Sequence, residues 1–65
     1  MPYRLLHLDE GRLAAAEELG VTDDAEALVE AQRLTAGGKS ELWRDSRLIA
    51  NISNALIRLG PSTGA

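Results

Sequence analysis

The spacing of apolar and polar positions changes character along the chain, and each change marks a different element. Tyr3-Arg4-Leu5-Leu6-His7-Leu8 is an apolar run of strand length, bounded by Pro2 and by the turn-like Asp9-Glu10-Gly11. A proline is tolerated at that edge because the first residue of a strand need not donate a hydrogen bond. Tyr3 and Leu5 fall on one face and Leu6 and Leu8 on the other, so the pattern predicts a strand covered on both sides. From Thr22 the period becomes helical. Ala27, Leu28, Ala31, Leu34 and Thr35 recur at three- and four-residue spacing, while Asp24, Glu26, Glu30 and Arg33 point elsewhere.

The helix has legible ends. Thr22 or Asp23 can accept from the free N–H groups of the first turn, and Glu26 stands three residues after Asp23 as in a capping box. Gly37 and Gly38 supply the stop, because glycine enters the left-handed conformation without a Cβ penalty. The apolar stripe is narrow and alanine-rich, which predicts a helix lying close against a sheet. Ser40–Arg44 and Arg47–Ile52 then read as two strands joined across Asp45-Ser46, whose side chains bond readily to nearby backbone. A two-residue loop pairs Trp43 with Leu48 and Leu42 with Ile49; a loop one residue longer or shorter moves Trp43 to another neighbour.

Two segments admit alternatives. Ala14-Ala15-Ala16-Glu17-Glu18-Leu19 is built of strong helix formers, and Gly20 is a natural stop, so Arg12–Leu19 reads as a two-turn helix or as a short strand or loop returning from the first strand. Ala55-Leu56-Ile57 with Leu59 extends the last strand, forms a short helix or packs on a second subunit. The expected fold is α+β: a small antiparallel sheet of about three strands with one main helix on one face, in the order β-(short α or β)-α-β-β. A single domain spans 1–59, and 60–65 has the composition of a flexible tail.

Composition changes this picture in one respect. At 65 residues, with no cysteine, no phenylalanine, one tyrosine and one tryptophan, the chain has no disulfide framework and few of the large side chains that dominate core energetics. A core of this size supplies only about 3–5 kcal/mol, and oligomerisation is a common remedy, so a homodimer or a larger protein partner is expected. The net charge of −3 argues against a nucleic-acid partner. Met1–Leu8 is too short for a signal peptide or a membrane span and runs at once into Asp9 and Glu10, so the expectation is a soluble cytoplasmic protein without membrane contact.

The opening Pro2-Tyr3-Arg4-Leu5-Leu6-His7-Leu8, Ala25-Glu26-Ala27-Leu28 with Ala31, and Glu41-Leu42-Trp43-Arg44-Asp45-Ser46-Arg47-Leu48-Ile49-Ala50 together resemble a group of short bacterial strand-helix-hairpin proteins of unknown function. The resemblance covers about residues 2 to 52 and implies a fold, not an activity.

Candidate chemistry is sparse. His7 is the only histidine, and catalysis or metal binding would need companions held at bonding distance. Glu17, Glu18, Asp23, Asp24, Glu26 and Glu30 form an acidic stretch, but without the spacing and central glycine of a calcium loop; a solvated face and a helix N-terminus explain them. No metal, cofactor or catalytic residue is therefore expected. Trp43, Arg44 and Arg47 form the best partner-binding patch, since Trp and Arg concentrate in interface hot spots; the competing role for Trp43 is that of the main core aromatic. The expected function is that of a small non-enzymatic interaction module, acting through homodimerisation or as an accessory subunit. The alternative is a winged helix-turn-helix regulator, in which Ala16–Thr22 supplies the turn and the later hairpin the wing. Against it stand Glu26 at an inward position and Asp23 and Asp24 facing the phosphate backbone.

Overall fold

A computed structural model describes residues 3–53 and 56–60. Five strands and one helix follow in the order β1 (Tyr3–Asp9), β2 (Arg12–Leu19), α1 (Asp24–Thr35), β3 (Lys39–Arg44), β4 (Arg47–Ser53) and β5 (Leu56–Leu59). The strands form one sheet in the order β2-β1-β3-β4-β5, with every neighbouring pair antiparallel.

This corrects the expectation of about three strands. Arg12–Leu19 is a full strand of eight residues, and Leu56–Leu59 adds a fifth strand beyond β4. What decides between the two readings of Arg12–Leu19 is local. Glu10 and Gly11 both take positive φ (54° and 79°), the backbone of a type I′ turn, which folds β2 directly back on β1. Pairing along the length of β1, from Tyr3↔Leu19 to Asp9↔Arg12, then overrides the helix preference of the alanines and glutamates. Only Leu19 of β2 is buried, so its side chains carry no alternation by which a strand could be read.

The helix packs on one face of the sheet. Asp23 caps it, its side chain accepting from the Glu26 N–H at 2.9 Å, and the Thr22 backbone N–H and hydroxyl donate to Glu26 Oε1. Ala27 and Ala31 are fully buried beneath it, and their small side chains bring the helix axis close to Tyr3, Leu5, Leu42 and Ile52. Residues opposite one another across a sheet share a face, so the helix side carries the rows Leu19–Tyr3–Arg44–Arg47, Glu17–Leu5–Leu42–Ala50–Leu59 and Ala15–His7–Ser40–Ile52–Ile57. The hydroxyls at the end of the helix are satisfied within this layer. Thr35 spends its proton on Ala31 O at 2.6 Å, so buried Ser40 must donate to Thr35 Oγ1.

The β3–β4 register departs from a simple ladder. Trp43 pairs with Leu48, but Leu42 pairs with Ala50 and not with Ile49, because a bulge intervenes at Leu42/Trp43. Gly60 closes the described chain in a buried position, its N–H donating to Ile49 O at 2.8 Å. The remainder of the expected tail, 61–65, and Ala55 of the apolar cluster lie outside the described residues.

Candidate association surface

Among the described residues the helix covers one sheet face, and nothing covers the other. There the rows run Glu18–Arg4–Trp43–Leu48, Ala16–Leu6–Glu41–Asn51–Arg58 and Leu13–Leu8–Lys39–Ser53–Leu56. Leu6, Leu8, Trp43 and Leu48 are half-buried by their neighbours alone, while Leu13 and Leu56 at the two sheet edges are 62% and 71% exposed. The expectation that β1 is covered on both sides is met on one side by α1. On the other it meets no layer among the described residues.

The trio Trp43, Arg44 and Arg47 does not form one patch. Alternation along β3 turns Trp43 to the helix-free face and Arg44 to the helix side. Trp43 is not the core aromatic; it is half-buried, and its indole N–H donates to Glu41 Oε1 at 3.0 Å. Tyr3, 1% exposed, fills that core role. Arg44 lies over the Tyr3 ring, 5.5 Å from its centroid, with Nη1 3.8 Å from Asp24 Oδ1. Arg47 is the cross-strand partner of Arg44 across the turn.

The histidine and the acidic stretch are also placed. His7 Nε2 lies 2.6 Å from Glu17 Oε2, tying β1 to β2 on the helix side. Ser40 is its cross-strand neighbour on β3, but the Ser40 hydroxyl is committed to Thr35, so the two do not form a nucleophile and its base. Among the described residues no three His, Asp or Glu side chains converge as a metal site requires. Glu30 pairs with Arg33 one turn along α1; the Arg33 guanidinium holds the Glu30 carboxyl below its usual range. Two shallow surface concavities lie among the described residues, one between Val21 and the α1 residues Ala25 and Val29, another at the β1–β2 turn beside Arg12 and Leu13. No helix among the described residues is long and apolar enough to cross a membrane.

The residues that sequence reasoning did not assign to a site are those of the outer edge of β2. Residues Arg12 to Glu18 are all exposed, and among the described residues β2 has a strand neighbour on one side only, so one row of its backbone N–H and C=O groups faces outward. A bulge between His7 and Leu8 adds Ala14 to this strand. At the opposite edge β5 has four residues against the eight of β2. The Glu-Gly turn was the available signal, since positive φ at both positions makes a strand return immediately. No protein-family model, curated protein or solved structure matches the chain.

Proposed function

We propose that this protein is a non-enzymatic association module that acts as a homodimer, joined through the outer edge of β2. The observation that supports this reading is the length and bareness of that edge: eight residues, all but Leu19 exposed, with three consecutive alanines at its centre. Strand addition at such an edge gains main-chain hydrogen bonds, and the alanines leave the approaching backbone unobstructed. The exposed Leu13 lies on the same strand and gains apolar cover when the edge is paired. A small domain with a thin core gains stability from such a contact.

The winged helix-turn-helix reading has less support. It needs Arg12–Leu19 as a helix crossing α1, and that segment is a strand.

The test is solution mass by light scattering over a wide concentration range, for the wild type and for Ala15→Lys. Position 15 is exposed, so the substitution leaves the core untouched. A concentration-dependent dimer that becomes a folded monomer in the variant is the expected result. A wild-type monomer at every concentration, or a dimer indifferent to Ala15→Lys, overturns the reading.

A further inference from the structure

The edge of β2 also carries information about how it would be paired. Arg12, Ala15, Glu17 and Leu19 lie opposite Asp9, His7, Leu5 and Tyr3, and so belong to the helix side; Leu13, Ala16 and Glu18 lie opposite Leu8, Leu6 and Arg4, on the helix-free side. A second copy adding antiparallel at this edge is related by a two-fold axis perpendicular to the sheet, which keeps helix side with helix side. The allowed registers are then few.

Resting on the homodimer reading, we infer that the two β2 strands pair with the axis passing between Ala14 and Ala15, so that Arg12 of each copy faces Glu17 of the other. Leu13 then faces Ala16 of the other copy. Both pairings match faces: Arg12 and Glu17 on the helix side, Leu13 and Ala16 on the helix-free side. Opposite charges meet twice by symmetry. Small alanines occupy the axis, where the extra residue Ala14 of the bulge lies. A slip of one residue sets Arg12 against Ala16 or Glu18, across faces. A register centred on Glu17 sets two glutamates against each other, which repels. The favoured register joins two five-stranded sheets into one continuous sheet and extends the Leu6, Leu8 and Leu13 strip into its symmetry mate.

Glu17 also holds His7 within its own chain, and a carboxylate has acceptor sites for both partners. Arg12 has Asp9 as its cross-strand neighbour on one side and Glu17 of the second copy on the other, so it is flanked by carboxylates in the dimer.

The experiment is a charge-reversal cycle read as the dimer dissociation constant by light scattering or sedimentation, with circular dichroism to confirm folding. Arg12→Glu alone and Glu17→Arg alone each create two facing like-charge pairs and weaken the dimer by about tenfold or more. The double variant Arg12→Glu/Glu17→Arg restores the attraction in reverse and returns the constant to within about threefold of wild type. Raising the salt concentration weakens the wild-type dimer and strengthens the single variants. If Ala15→Lys abolishes the dimer but the single reversals do nothing, or the double variant fails to recover, the register is overturned while edge pairing stands. A wild-type monomer, or a dimer that Ala15→Lys leaves intact, overturns edge pairing and the register with it.

Discussion

The Tyr3 hydroxyl donates to Asp24 Oδ1, joining the first described residue of the chain to the first turn of α1. Arg44 reaches the same carboxylate and lies over the Tyr3 ring, so one cluster fastens β1, α1 and β3 together. Its parts have distinct effects on the phenol. The hydrogen bond to Asp24 is the largest cause raising the Tyr3 pKa above its usual value; burial and the Asp24 charge add to it, and the Arg44 charge opposes them. The folded chain therefore keeps the phenol proton at a pH where the unfolded chain has released it. Stability from this source is complete below the ordinary tyrosine pKa of about 10 and is lost as pH rises through the higher folded-state value. Because Tyr3 is the only tyrosine, phenolate absorbance follows it without ambiguity. Asp24→Asn moves that titration down toward the ordinary value; an unchanged midpoint would show that the hydrogen bond does not control it.

Leu42 has no exposed surface and sits in the middle of the sheet, between Leu5 and Ala50 beneath the helix. Its neighbours Ala27 and Ala31 are too short to collapse into a void left there. Leu42→Ala costs about 2–5 kcal/mol, which is as much as a core of this size supplies. The expected outcome in urea denaturation is a chain largely unfolded before denaturant is added. A variant that unfolds cooperatively near the wild-type midpoint contradicts the placement of Leu42 at the centre of the core.

Ala36 closes the helix in the left-handed region, at φ 49° and ψ 50°, with its N–H donating to Gln32 O. That conformation costs an L-residue about 1–2 kcal/mol, and glycine avoids it at the expense of more backbone entropy in the unfolded chain. Ala36→Gly is expected to stabilise the fold by about 0.5–1 kcal/mol in chemical denaturation.

Gly60 is required for the opposite reason, lack of space. A Cβ built on it lies 2.1 Å from the Leu48 carbonyl oxygen, a backbone atom that cannot swing aside. Gly60→Ala forces β4 and the chain after β5 apart and costs about 1–3 kcal/mol, seen as a lower melting temperature. An unchanged melting temperature would mean that Gly60 does not pack there in solution.

How far these features are legible in the sequence depends on whether a side chain or the backbone specifies them. Asp23, Glu26 and the 27-31-35 spacing announce α1 because capping and burial act through side chains of defined type. The Trp43↔Leu48 pair follows from a two-residue turn, but Leu42↔Ala50 does not, since a bulge leaves no residue-type signature in Leu48-Ile49-Ala50. β2 is concealed for the same reason. Its alanines and glutamates read as a helix, and only the paired positive-φ residues Glu10 and Gly11 decide otherwise. The placement of Trp43 and Arg44 on opposite faces is legible too, since neighbours in sequence alternate along a strand.

Trp43 separates the two surfaces that could bind a partner. It lies on β3, two strands in from the β2 edge and three from a strand added there, so at a spacing of about 4.8 Å per strand it is roughly 14 Å from an edge-paired copy. Its removal takes cross-strand contact from Arg4 and Leu48 and the bond to Glu41, but opens no cavity in the buried layer. Trp43→Ala is therefore expected to stay folded, to lose about 1 kcal/mol of stability, and to keep the wild-type solution mass. The wild-type tryptophan emission should likewise stay unchanged on dilution through the dimer dissociation range. A folded Trp43→Ala monomer from a dimeric wild type would instead move the interface to the helix-free face. Sheet-on-sheet packing of two copies would then replace edge pairing, with the half-buried Leu6, Leu8 and Leu48 as the apolar contacts around the ring.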